Sequence, residues 1–273
     1  MWLLLELLAL SAKHPSPHAN LSVLLHAACP PADFRAAALN IAALLPGALK
    51  EVGGISEICA MYDASWASLI DPSKGCRGKP WPEVPRAHGL LLNAGAGTSG
   101  TRFINCVIKQ STALNTAHHP SIETLQKPNV DFVSDSPVPY NLAYILAAHA
   151  GSKRSAGVLL SLRNPHEWMV DRMKKHGSSH CCSVPTMPCG KAIPITSLKD
   201  PKLAQHFYAY QAWAACLATS PKLGFDKLHL FAFNLFAQSP ANLTGHFYTA
   251  LRRFVGKRTH DVATFQRAWA ECR

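Results

Sequence analysis

A glycine-rich segment near the middle of the chain has the residue types of an anion-binding loop. The segment reads LLLNAGAGTSGTRFINCVIKQ, so an apolar run precedes the glycines and a helix-compatible run follows them. Glycines allow backbone N–H groups to turn towards one oxyanion, and the positive N-terminal end of a helix adds to the attraction. The lysine that follows the last glycine of a nucleotide-binding P-loop is absent. We predict that an anion is held here by Gly95, Gly97, Ser99, Gly100, Thr101 and Arg102. The alternative is an ordinary tight turn between a strand and a helix.

A second basic feature lies about sixty residues further along the chain. Arg163 ends the apolar run GVLLSLR, and Asn164-Pro165 then opens a helix pattern. A guanidinium at the end of a buried strand can hold a second phosphate near the edge of a sheet. The alternative is that Arg163 forms an ordinary salt bridge.

Alternating strands and helices position both features. After residue 88, the strand-like runs HGLLLN, NVDFVSD, AGVLLSLR and FDKLHLFAFN alternate with helix patterns. This alternation predicts an α/β fold, with a mostly parallel central sheet between two layers of helices in a three-layer sandwich. Ligands of such sheets bind at the carboxyl ends of the strands, where the glycines and Arg163 both fall.

The residues before this region have a different character. The run LSVLLHAACPPADFRAAALNIAALLPGALK predicts a strand, a turn and a helix that begins at Pro30-Pro31 and ends at Pro46-Gly47. Residues 71–88 are rich in proline, glycine and charge, which is typical of a linker. We therefore divide the chain into an N-terminal segment, residues 1–87, and a main domain, residues 88–273.

Composition limits the classes of ligand and compartment. The chain carries 27 Lys and Arg against 16 Asp and Glu, and this excess of cations favours anionic ligands. Nine cysteines, several of them in loops, suit disulfides in an oxidising compartment, and the odd number leaves a thiol free. The run HCCSVPTMPC lacks the second ligand pair of a zinc site, so we expect no metal. The N-terminal run MWLLLELLALSA is shorter than the ~20 residues that span a bilayer; a weak signal segment and a buried helix both fit it.

Taken together, these motifs resemble the sulfotransferases that use 3'-phosphoadenosine 5'-phosphosulfate (PAPS). Thr98-Ser99-Gly100-Thr101 occupies the place of the family's 5'-phosphosulfate loop. Arg163-Asn164-Pro165 occupies that of its 3'-phosphate element, with Trp168 as in one branch. Asp135-Ser136-Pro137 and His118 fall at the spacing of two further features of that branch. The similarity covers about residues 88–256, and it implies the P-loop-like fold of that family.

The resemblance implies an enzyme that transfers a sulfuryl group from PAPS to a hydroxyl or amine of a glycan or small-molecule acceptor. It implies no metal, no nucleic acid and no membrane span in this chain. His118 would be the catalytic base, with His119 as its competitor, and Arg102 the cation nearest the sulfate. The Golgi lumen or secretory pathway is favoured over the cytoplasm, and the acceptor pocket is expected in loops at residues 50–88 and 177–197.

Two positions depart from the family pattern. The lysine or arginine of the phosphosulfate loop is Thr98 here, and the serine eight residues after the arginine is Asp171. Arg172 could offset the acid, or Asp171 could point away. These departures keep two other interpretations open. One is a non-catalytic protein of the same fold that binds a nucleotide or an anionic glycan. The other is a P-loop phosphotransferase with Asp135 as a magnesium ligand.

Overall fold

A computed structural model describes residues 17–70, 90–125, 127–149, 155–176, 182–188, 192–223, 227–236 and 240–273. The predictions for residues 1–12 and for the linker at 71–88 lie outside these ranges. The strands are β1 (Leu90–Asn93), β2 (Thr116–His118), β3 (Phe132–Ser134), β4 (Ser155–Ser161), β5 (Ser183–Pro185), β6 (Ala192–Pro194) and β7 (Lys227–Phe233).

The first six α-helices are α1 (Pro17–Ala28), α2 (Pro31–Leu44), α3 (Ala48–Glu51), α4 (Ile55–Ile70), α5 (Thr101–Ser111) and α6 (Ile122–Leu125). The next five are α7 (Val138–His149), α8 (Pro165–His176), α9 (Pro201–Ala218), α10 (Pro240–Val255) and α11 (Val262–Glu271). Two short 3-10 helices span Pro221–Leu223 and Gly256–Arg258.

The central sheet has five strands in the order β2-β3-β1-β4-β7, and every pairing is parallel. The predicted α/β fold with a mostly parallel sheet is therefore confirmed. Successive residues of β1 point to opposite faces, as the pleat requires. Leu90 and Leu92 join one hydrophobic cluster and Leu91 joins the other. Helices α5, α10 and α11 cover one face, and α7, α8 and α9 pack on the other, which gives three layers.

Helix α9 is the centre of the larger hydrophobic cluster. Fourteen of its eighteen residues are buried, which is the pattern of a helix enclosed on all sides. It contacts α2 and α4 from the N-terminal part of the chain as well as β4 and β7 of the sheet. One continuous core therefore joins the helices before residue 70 to the sheet that carries the site.

The structure corrects three local predictions and adds one strand. The first run is helix α1 and not a strand; a short apolar run fits both periods, and here it packs against α7 and α9. Helix α4 lies in the stretch at 50–88 where an acceptor loop was expected, because its apolar residues complete the cluster around α9. Strands β5 and β6 form an antiparallel pair within the loop expected at 177–197. Strand β2, which ends at His118, was not predicted, since three partly exposed residues give no apolar run.

Two disulfides among the described residues connect distant parts of the chain, as the cysteine content predicts. Cys29–Cys216 joins the end of α1 to α9, and Cys106–Cys272 joins α5 to the residue after α11. Such bonds are typical of oxidising compartments and are compatible with a lumenal or secreted protein. Within the described ranges, none of the helices has the length and apolar character needed to cross a bilayer.

Candidate functional site

The glycine loop connects β1 to α5 at the carboxyl edge of the sheet, and its first half is fastened to β4. The N–H of Gly95 donates to Asn93 Oδ1 at 3.0 Å, and the Ser99 and Ser161 hydroxyls lie 2.7 Å apart. A Cβ on Gly95 would lie 1.8 Å from Ser161 Oγ, so no larger residue fits there without displacing β4. The loop is therefore held rigidly against the neighbouring strand.

The second half of the loop opens onto the N-terminal end of α5. Gly100 is the N-cap residue, with φ of 91°, and no side-chain hydrogen bond caps the helix there. The first N–H groups of a helix need partners from outside it, and together with the helix dipole they favour an anion. A Cβ on Gly100 would lie 2.2 Å from Leu235 Cδ1, which shows how closely the segment after β7 approaches the loop.

Two nearly buried arginines converge on Thr98. Arg163 Nη1 donates to the Thr98 carbonyl at 3.0 Å, and Arg172 Nη1 donates to Thr98 Oγ1 at 3.2 Å. Their residues are only 7% and 9% exposed. Arg172 Nη1 would also lie 2.6 Å from a Cβ on Gly97, so the guanidinium covers the middle of the loop. Position 98 itself carries no charge, and Arg172 of α8 brings a guanidinium to the same part of the loop.

Helix α8 reaches the loop with one stripe of side chains. Trp168 Nε1 donates to the Gly97 carbonyl at 2.7 Å, and the indole stacks on Phe207 of α9 with ring centroids 4.1 Å apart. Arg172 is one turn further along, and His176 Nε2 lies 3.4 Å from its Nη1. Residues four apart share one face of a helix, so Trp168, Arg172 and His176 approach the loop together.

Asp171 faces a different partner. Its Oδ2 accepts from Arg163 Nη2 in a short ion pair. Asp171 therefore pairs with Arg163 itself and does not point away from it, because its side chain lies on the Arg163 side of α8. Arg163 also stacks over the ring of Phe236, with its guanidinium carbon 3.9 Å from the ring centroid. Phe236 is 53% exposed, so its ring is available to a flat ligand group.

His118 lies beside a carboxylate at the same edge of the sheet. Its Nδ1 is 3.0 Å from Ser134 Oγ, and its Nε2 is 3.5 Å from Asp135 Oδ2. Burial lowers the pKa of His118, the carboxylate of Asp135 opposes that effect, and the charge of Arg102 adds to the lowering. The imidazole is therefore held in its neutral form near pH 7, which is the form that accepts a proton.

Asp135 also contacts the glycine loop. Its Oδ2 accepts from Thr101 Oγ1 at 3.0 Å, and its Oδ1 accepts from the N–H of Ser136 at 2.7 Å. Asp135 thus lies where it can orient the histidine, although its carboxylate is shared between His118 and the loop.

Backbone strain is concentrated at this edge. Among the described residues, the non-glycine residues with positive φ are Thr98 at 74°, His119 at 53° and Asp135 at 69°. Such conformations cost about 1–3 kcal/mol each and persist where the surrounding structure imposes them. The three strained positions belong to the loop, to the end of β2 and to the end of β3, which together form the site.

The structure thus brings most of the predicted site residues together. The loop glycines at 95 and 97 are buried with Ser99 and Thr101, whereas Thr98 and Gly100 are partly exposed. Arg102 is exposed on the first turn of α5, and its charge contributes to the lowered pKa of His118. Sequence reasoning missed Arg172 as the cation of the loop, and missed Ser134, His176 and Phe236. The spacing of Trp168, Arg172 and His176 shows that these three share one face of a helix, but it does not show that this face meets the loop.

Comparisons with protein families, with curated proteins and with solved structures find no match to this chain. Within the described residues, no group of three or more His, Cys, Asp or Glu side chains is placed to hold a metal ion.

Proposed function

We propose that the protein transfers a sulfuryl group from PAPS to a hydroxyl or amine of a glycan or small-molecule acceptor. The observation that carries the proposal is Arg172, whose guanidinium lies 3.2 Å from Thr98 Oγ1 over the glycine loop. Transfer of such a group depends mainly on positioning and on stabilising the negative charge of the leaving phosphate. The site offers that stabilisation through α5, Arg172 and Arg163.

The donor fits the residues present in three places. The N-terminal end of α5 and Arg172 would hold the 5'-phosphosulfate, and Arg163 would hold the 3'-phosphate, at the opposite side of Thr98. The exposed ring of Phe236, beside Arg163, would carry the base. The carboxylates of Asp135 and Asp171 oppose an anion, but Thr101 and Arg163 each bind one of them.

In this proposal the acceptor oxygen attacks the sulfur while the bond from sulfur to the bridging oxygen breaks. The acceptor proton passes to His118, which Ser134 and Asp135 orient, and the electron pair leaves on the 5'-phosphate beside Arg172. Arg102 is the exposed cation on the acceptor side. The two disulfides support a lumenal location, for which we propose the Golgi.

One observation favours a second function. Thr101 Oγ1 and Asp135 Oδ2 lie 3.0 Å apart, and a loop hydroxyl with a strand-end aspartate holds magnesium in P-loop phosphotransferases. Thermal unfolding separates the two functions. Adenosine 3',5'-bisphosphate without metal is expected to stabilise the protein, by about 2.7 kcal/mol when present at a hundred times its Kd. Stabilisation by ATP with magnesium and none by the bisphosphate would support the phosphotransferase and refute the sulfotransferase.

Catalysis is then tested by transfer of labelled sulfate from PAPS to a panel of glycans, alcohols and amines. Binding of the bisphosphate without transfer to any acceptor would favour a non-catalytic protein of this fold. If transfer occurs and His118→Ala preserves its rate, the assignment of the base is wrong. His119→Ala is the matched control, because that neighbour has no hydrogen bond to Ser134 or ion pair with Asp135 through its ring.

A further inference from the structure

The arginine that would bind the 3'-phosphate, Arg163, is already paired with the carboxylate of Asp171. Arg163 lies at the carboxyl end of β4, where a phosphate would bind, yet its Nη2 is already paired with Asp171 Oδ2. A guanidinium that is paired with an acid offers a phosphate less attraction than an unpaired one, because the acid neutralises its charge.

The two halves of this pair differ in how firmly they are held. Arg163 Nη1 donates to the Thr98 carbonyl, and the guanidinium packs on Phe236. The backbone of Arg163 is fixed as well, since Gln211 accepts from its N–H and donates to its carbonyl. The Arg163 side chain is 9% exposed, whereas that of Asp171 is 36% exposed. Asp171 is therefore the half that can turn to solvent when another anion arrives.

Arg163 also has one N–H donor that its hydrogen bonds to Thr98 and Asp171 do not use. Its Nε is buried and has no hydrogen-bond partner among the described residues. A buried donor without a partner is destabilising, and it indicates a group that a ligand completes. A phosphate that displaced Asp171 could take both Nη2 and Nε, in the fork geometry that guanidinium and phosphate share.

We propose that Asp171 is an internal counter-anion of Arg163, which the 3'-phosphate of the donor must displace, so that Asp171 sets how strongly the site selects 3'-phosphorylated nucleotides. This inference rests on the proposed function, in which Arg163 holds that phosphate. A nucleotide with a free 3'-hydroxyl leaves the ion pair intact and can donate its hydroxyl to Asp171. A 3'-phosphate gains Arg163 only by losing the pair, and then lies near a displaced carboxylate.

The test compares two nucleotides that differ at the 3' position. Adenosine 3',5'-bisphosphate and adenosine 5'-monophosphate are titrated calorimetrically into the wild type, Asp171→Asn and Asp171→Ser. The quantity of interest is the ratio of the two dissociation constants. Because removal of a like charge beside a buried phosphate contact is worth at least about tenfold in affinity, we expect the preference for the bisphosphate to rise by that factor in both variants. Glu167→Gln removes an equal charge one turn away on the exposed part of α8 and should leave the ratio unchanged.

The outcomes separate the inference from the proposed function. If the wild type prefers the bisphosphate strongly and neither Asp171 variant increases that preference, the inference is wrong and the function stands. If neither nucleotide binds any of the proteins, both are wrong. A rise in the ratio for Glu167→Gln as large as that for Asp171→Asn would also overturn the inference, because the effect would then be general electrostatics. Asp171 is partly exposed, so both variants should fold, and their thermal unfolding checks this.

Discussion

Arg172 is the residue on which the proposed chemistry depends most directly, and replacing it gives the sharpest prediction. Arg172→Met keeps most of the aliphatic length of the side chain but removes the guanidinium that lies over Gly97 and Thr98. A hydrogen bond to a charged group contributes roughly 1.5–3 kcal/mol, and 1.4 kcal/mol corresponds to about tenfold in affinity. We therefore expect adenosine 3',5'-bisphosphate to bind about 10–150-fold more weakly to Arg172→Met, as measured by calorimetric titration.

A second substitution tests whether position matters as well as charge. Thr98→Lys in the Arg172→Met background returns a cation to the loop itself. Thr98 has φ of 74°, a conformation that is especially unfavourable for a β-branched residue, so lysine is no harder to accommodate there. We expect this double variant to recover at least half of the lost binding free energy. Arg252→Met, at an exposed position on α10, removes the same charge away from the loop and should change binding little.

Two results would refute this reasoning. Wild-type affinity in Arg172→Met would show that the guanidinium does not meet the ligand. An equal loss in Arg252→Met would show that only net charge matters. Failure of Thr98→Lys to restore binding, with Arg172→Met impaired, would restrict the role of Arg172 to shaping the loop. Thermal unfolding of each variant distinguishes loss of binding from loss of fold.

Three further predictions concern the contribution of residues in and near the site to the stability of the fold. Burial lowers the pKa of His118 in the folded protein, so the unfolded chain binds a proton at this residue more readily than the folded protein does. The folded state is therefore favoured above the ordinary pKa of histidine and loses this advantage as the pH falls. In urea unfolding, His118→Gln should lose less stability than the wild type between about pH 7.5 and about pH 5.5. Gly95→Ala should destabilise the protein by about 1–3 kcal/mol, because the added Cβ would overlap Ser161 Oγ. Gly245 lies within α10 and a Cβ added there meets no other atom, so Gly245→Ala should stabilise the protein by about 0.5–1 kcal/mol in the same assay. Trp168→Phe removes the Nε1 donor to the loop and part of a fully buried indole, so we expect a loss of about 1–4 kcal/mol on denaturant unfolding; no loss would mean that the site repacks and that water replaces this hydrogen bond.

Most of the sheet could be predicted because its strands are buried on both faces and are separated by clear turn signals. Strands β1 and β4 appear in the sequence as unbroken apolar runs, which is typical of parallel strands. Strand β2 could not be predicted, because three partly exposed residues carry no such signal. Helix α1 was mistaken for a strand because only its packing against α7 and α9 distinguishes the two periods.

The loop and Arg163 could be predicted because each follows a strand directly and the topology brings strand ends to one edge. The partners of Asp171 and Arg172 could not be predicted, because their distance in sequence from Arg163 does not determine how α8 is rotated about its axis. In the structure, the hydrogen bond from Trp168 Nε1 to the Gly97 carbonyl and the stacking of Trp168 on Phe207 help to fix that rotation.

The rotation of α8 connects the two departures from the sulfotransferase pattern. Successive residues of a helix point about 100° apart, so Asp171 and Arg172 face different partners although they are neighbours in sequence. With Trp168 fastened to Gly97, Arg172 one turn later must face the loop, and Asp171 must face Arg163. Where the sulfotransferase pattern has a cation in the loop, this chain has Thr98, and Arg172 of α8 brings a cation beside it. The same helix places Asp171 against Arg163. In the proposed function, α8, and not the loop sequence alone, determines which nucleotide this edge of the sheet holds.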